Sequence, residues 1–153
     1  MAVSIAGLTN THFSGLAADR LDHSKAIHEK SVTIFINGTV AADSIDMFTA
    51  NGTGVLRKFK AAITTTIATG SDRTVTVDLH LGNAGSAFAT VLSSTIGFTN
   101  GTVLRTPANG AFSNSAFVAN DILRCVITVA GTLLAQAVDM VGTLIYSENP
   151  TTT

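Results

Sequence analysis

RTVTVDLHLG, residues 73 to 82, decides how the rest of the chain is read. Val75, Val77, Leu79 and Leu81 alternate with Thr74, Thr76, Asp78 and His80, a period of two that puts the apolar residues on one side of an extended chain. A helix would scatter these side chains around its axis, whereas a strand with one dry and one wet face collects them. The stretch is therefore a half-buried antiparallel strand. DILRCVITV, residues 121 to 129, follows the same rule: Leu123, Cys125, Ile127 and Val129 alternate with Arg124 and Thr128, so Cys125 is expected in the core. VLRKFKAAITTTIA, residues 55 to 68, is longer, with Val55, Phe59, Ala61, Ile63 and Ile67 on one face and Lys58, Lys60, Thr64 and Thr66 on the other. Arg57 breaks the pattern by falling on the apolar side.

Shorter runs surround these three. SVTIFI opens at residue 31 and is closed by Asn37-Gly38; SAFATVLS, STIGF, GTVLRT, GAFSNSAFV and QAVDMVGTLIYSE follow, most of them bounded by Gly, Asn, Asp or Pro107. About eight strands with turns between them and no long amphipathic helix predict an all-β fold, an antiparallel two-sheet β-sandwich of jelly-roll type. A parallel α/β fold would need crossover helices that the pattern lacks.

Residues 1 to 30 read differently. They carry Asp19, Arg20, Asp22, His23, Lys25, His28, Glu29 and Lys30, in a chain only 12% charged. FSGLAADRLDHSKAIHEK suits a short helix capped by Ser14, or an extended arm on a neighbouring subunit. The expected organisation is an N-terminal arm or anchor over 1–30, a β-sandwich over 31–149 and a flexible tail over 150–153.

With 153 residues the chain has room for one core. Charged residues are half as frequent as the ~25% usual in soluble proteins, while 23 residues are Thr and 21 are Ala. The mean hydropathy of +0.40 is high, but no apolar run approaches the ~18 residues of a membrane span. The surplus apolar surface is expected to meet a partner subunit. A net charge of -1 gives no reason to expect nucleic acid. Cys125 is the one cysteine, which excludes an intrachain disulfide and a cysteine metal cluster. MAVSIAGLTNTHF lacks the basic segment and long apolar run of a secretory leader, so synthesis in a reducing cytoplasm is expected.

Three N-G-T stretches, at 37–39, 51–53 and 100–102, match the glycosylation acceptor, but Asn-Gly followed by a β-former is turn chemistry leading into a strand. Two of them precede V-L-R, which places Arg57 and Arg105 at comparable points of two related stretches. Catalytic constellations do not emerge. His80 and Asp78 share a strand face and form the only candidate acid-base pair, with a solvated strand face as the plainer reading. His23 and His28 are five apart and miss the helical spacing for paired ligands. Asp19, Asp22 and His23 offer at most a weak cation site. GNAGSAFA lacks a phosphate-binding lysine, Ser71 lies outside a nucleophile elbow, and Asp43 with Asp46 lacks EF-hand spacing. No catalytic residue, cofactor or metal site is therefore expected. The basic cluster Arg57, Lys58 and Lys60, with Arg105 and Arg124, forms a candidate interface set for acidic groups on a partner.

The run ATGSDRTVTVDLHLGNAGSAFATVLSSTIGFT, with VANDILRCVITVAGTLLAQAVDMVGTLIYSE, resembles the auxiliary, or decoration, β-sandwich proteins of tailed-phage heads over about residues 55 to 148. The resemblance implies a non-enzymatic structural protein that self-associates, often as a trimer, and binds and stabilises a capsid built of a major capsid protein. Its place would be the virion surface after synthesis in the host cytoplasm. The alternative on the same scaffold is a ligand- or carbohydrate-binding module for surface attachment, for which one tyrosine and no tryptophan are poor equipment.

Overall fold

The computed structural model describes residues 28–149 apart from 66, 68, 69, 84 and 133–135. The strands are β1 (His28–Thr39), β2 (Asp43–Thr49), β3 (Gly54–Thr65), β4 (Thr74–Gly82), β5 (Ala89–Thr90), β6 (Ile96–Phe98), β7 (Ala108–Gly110), β8 (Ala116–Phe117), β9 (Ile122–Ala130) and β10 (Val138–Glu148). One sheet runs β1-β10-β3-β7, with β8 also on β3; the other runs β2-β9-β4-β5, with β6 also on β4. Every pairing is antiparallel. Taking β5/β6 and β7/β8 as split strands, the pairs nest: first with last, second with next to last, and so inward to the β4–β5/β6 hairpin. A ribbon paired in this way and wrapped into two layers is a jelly roll.

The alternation in β4 and β9 is realised as read, with Val75, Val77, Leu79, Leu123, Cys125 and Ile127 all buried. From the opposite sheet Leu56, Phe59, Ala61, Ile63, Met140 and Leu144 meet them in one core. At roughly 1.5–3 kcal/mol per large buried side chain, this layer is the main source of stability. An aromatic cluster closes one end: Phe48 stacks on Tyr146 with centroids 4.3 Å apart, and Phe117 meets both edge-on. Gly54 stands beside this cluster, where a Cβ would overlap the Phe117 ring.

Three expectations are corrected. In β3 the apolar side is taken by Leu56 rather than Val55, because Arg57 and Lys58 together oppose one step of β10: Ile145 pairs Lys58 and Tyr146 pairs Leu56. This β-bulge inserts one residue, shifts the pleat, and takes Arg57 off the apolar face. Asn37-Gly38 does not end the first strand but forms a bulge within it, with Gly38 at φ +84° and its N–H donating to Asp139 Oδ1 at 2.6 Å. GTVLRT is loop and not strand. β2, which local alternation did not announce, is a seven-residue strand.

β1 begins at His28, so the sandwich takes in residues 28 to 30 of the segment set apart by composition. The proposed helix or arm over the preceding residues, and the tail over 150–153, lie outside the described residues.

Candidate assembly surface

The two sheets present very different outer faces. On the β1 sheet the core takes Ile34 from β1, Met140 and Leu144 from β10, and Phe59, Ala61 and Ile63 from β3. Alternation then turns the intervening residues outward, and the register lines them up in rungs across the three strands. Ser31, Ile145 and Lys58 form one rung, Thr33, Thr143 and Lys60 the next, and Phe35, Val141 and Ala62 the third. Phe35 is 72% exposed, the most exposed large apolar side chain among the described residues. Thr33 and Thr143 hydroxyls lie 3.3 Å apart. A hollow of about 150 Å3 opens beside the third rung, lined by Lys60, Ala61, Ala62, Pro107, Val141 and Thr143.

Among the described residues no carboxylate is ion-paired with Lys58, Lys60 or Arg105. Acids on this side stand at the ends of the face: exposed Glu29, and Asp139, whose Oδ1 accepts the Gly38 N–H.

On the β2 sheet the outer polar groups satisfy one another. Arg124 on β9 holds Asp46 on β2 through Nε–Oδ1 at 2.7 Å and Nη2–Oδ2 at 3.2 Å, and its guanidinium lies 3.8 Å over the Phe88 ring. This hydrogen bonding holds the Asp46 carboxyl below its ordinary pKa and raises that of Arg124. His80 Nε2 is 3.0 Å from Asp78 Oδ2, while Asp78 Oδ1 accepts from Thr90 Oγ1 and from the Leu79 N–H, both at 2.8 Å. The His80 and Asp78 side chains thus meet on the face of β4, and Asp78 is tied to the neighbouring strand β5.

Of the other interface candidates, Arg57 projects at the β3 bulge, where its Nε donates to Ser147 Oγ at 3.0 Å. Arg105 lies in the loop between β6 and β7 at φ 56°, its N–H donating to Ile63 O at 2.9 Å. The two V-L-R arginines therefore occupy unlike settings. Arg57, Lys58 and Lys60 are gathered on the β1 sheet, and Arg124 lies on the opposite sheet.

The second N-G-T stretch is held by Glu148, whose Oε1 accepts the N–H groups of Asn51 at 2.7 Å and Gly52 at 2.9 Å, while Oε2 accepts from Lys30 Nζ at 2.6 Å. Burial pushes the Glu148 pKa up, but the hydrogen bonds from Lys30, Asn51 and Gly52 outweigh it and leave the pKa below the ordinary value. One carboxylate thus joins the start of β1, the end of β10 and the β2–β3 turn. The third stretch is a turn closed by Thr102 N–H to Thr99 O at 3.0 Å.

A broader depression of about 400 Å3 lies between the β4–β5 and β8–β9 connections. Its Asn114 and Asp121 side chains already accept the N–H groups of Ala116 and Val118. Cys125 is fully buried, and that burial, with Asp78 and Asp43 adding, raises its pKa to about 12. Among the described residues no group of three or more His, Cys, Asp or Glu is arranged to hold a metal ion.

Sequence reasoning missed Phe35, Val141 and Ala62. Phe35 carried one usable signal, since it occupies the polar side of the Val32, Ile34, Ile36 alternation.

No protein-family model matches the sequence, and no curated protein matches it. Solved structures do. A chain in the capsid of Ralstonia phage GP4 is similar at a TM-score of 0.56 and 16% identity, over 86% of this chain and 89% of that one. A chain of the cyanophage Pam1 capsid asymmetric unit gives 0.46 and 19%, over 81% and 85%. A chain of infectious bursal disease virus, Gx strain, gives 0.42 and 10%, over 85% of this chain and 35% of that one. The fold is an all-β, antiparallel two-sheet jelly roll, shared with a chain of a phage capsid.

Proposed function

We propose that this protein is a non-enzymatic structural component of a virion, an auxiliary protein that decorates and reinforces a tailed-phage capsid. The observation that carries the reading is the nearly end-to-end likeness to a chain of similar length in a phage capsid, 86% of one and 89% of the other. The fold supplies what such a role requires. Its core is continuous between the sheets, Arg124 and Asp46 pair on the β2 sheet, and the β1 sheet offers an apolar and cationic face for contact. Self-association as a homotrimer, binding to the major capsid protein and exposure on the capsid surface belong to the same proposal. Binding energy spread over such contacts stabilises the assembled shell by mass action.

The test has two parts. Native mass measurement of the purified protein is expected to give three chains per particle. Heads assembled without it are expected to rupture at lower temperature and to regain resistance when it is added back. A monomer that leaves head stability unchanged overturns the reading.

A further inference from the structure

We infer that the outer face of the β1 sheet docks on a protein surface presenting two carboxylates and an apolar side chain in extended succession. The inference rests on the decoration reading and names the chemistry of the partner. Along β3, Lys58, Lys60 and Ala62 project on the same side at every second residue, about 7 Å apart. The first two are cations without an ion-paired acid among the described residues; the third is a small, buried residue that lines the hollow of about 150 Å3. In volume it matches a cavity that accepts a benzene-sized group. The complementary segment is therefore acid-x-acid-x-apolar, laid along β3 with its apolar side chain between Val141 and Pro107. Phe35 and Ile145 extend the contact toward β1 with further apolar area, and the Thr33–Thr143 rung separates them.

Charge complementarity points the same way. On the β2 sheet the Arg124 cation is already held by Asp46, so an acidic partner gains little there, while each acid brought to Lys58 or Lys60 finds an uncompensated cation. A single-stranded nucleic acid would meet the two lysines and stack a base on Phe35, but a chain of net charge -1 disfavours a polyanion as partner.

The experiment uses heads made without this protein by the virus that encodes it, probed with purified full-length chains whose folding is checked by thermal melting. Lys58→Glu/Lys60→Glu is expected to bind at least about tenfold more weakly at ~0.05 M salt, with a smaller difference at ~1 M salt. Ala62→Trp, which fills the hollow, is expected to weaken binding at both salt concentrations. Thr128→Glu, on the exposed β2 sheet face, is expected to bind as the unaltered chain does.

Failure of the unaltered chain to bind heads overturns the decoration reading and this inference with it. Binding by the unaltered chain and equal binding by both β1 sheet variants overturns this inference alone. So does equal weakening by Thr128→Glu, or displacement of the protein from heads by a 30-nucleotide DNA strand.

Discussion

The outer faces of the two sheets are built from similar residues and arranged differently. On the β2 sheet Asp46 meets Arg124 and Asp78 meets Thr90 across adjacent strands, while His80 meets Asp78 within β4. On the β1 sheet Lys58 and Lys60 stand beside Ile145, Thr143 and Val141, with exposed Phe35 at the far edge. Charge counting would not separate these faces, because both carry cations. The difference lies in register, which brings an acid opposite Arg124 and aliphatic or hydroxyl side chains opposite the lysines.

The two faces share one core, so the largest effect expected is symmetrical between them. Phe59→Ala removes a fully buried ring and should cost about 3–5 kcal/mol in urea unfolding; a loss below ~1 kcal/mol would mean that the sheets do not depend on a common layer. Glu148→Ala strips the acceptor from Asn51, Gly52 and Lys30 at the margin of the β1 sheet, with an expected loss of roughly 2 kcal/mol. Because the folded Glu148 pKa is lowered, its contribution is complete above the ordinary value of 4.5 and is lost as pH falls through the folded value. A stability profile from pH 7 to pH 3 should therefore be flatter in the variant than in the unaltered protein.

Smaller effects discriminate between the faces. Asp46→Asn should lower the melting midpoint slightly, and added salt should shrink the difference, since this pair is partly exposed. Lys58→Glu/Lys60→Glu should leave the midpoint unchanged while altering binding. Were the lysine variant to unfold earlier than Asp46→Asn, the assignment of self-paired and partner-directed faces would be reversed. Finally, Cys125, buried with a pKa near 12, should react with thiol reagents only as fast as the molecule opens.

What local sequence reveals follows from what sets each feature. β4 and β9 are central strands with one dry face, and their period of two is complete, so the fold class was legible from them. β2 was hidden because its bulge between Asp46 and Phe48 interrupts alternation, and because Asp43 and Asp46 look like loop residues. GTVLRT has strand composition, yet Arg105 takes a positive φ of 56° that no local pattern announces. The cationic half of the candidate assembly surface was visible, since Lys58 and Lys60 are two apart on one strand. Its apolar half was not: Phe35 meets Val141 only through a pairing between the first and last described strands, and such a register is a property of the closed sandwich.

The nested pairing also orders events in time. β10 is the last described strand to be synthesised, yet its place is between β1 and β3. At translation rates of about 5–20 residues per second, β1 waits roughly 5–20 s for its partner. During that interval Ser31–Ile36, a run without charge, glycine or proline, has neither edge paired with β10. Such segments are prone to join like segments of other chains, so the yield of folded protein is expected to fall when nascent chains are closely spaced on the message.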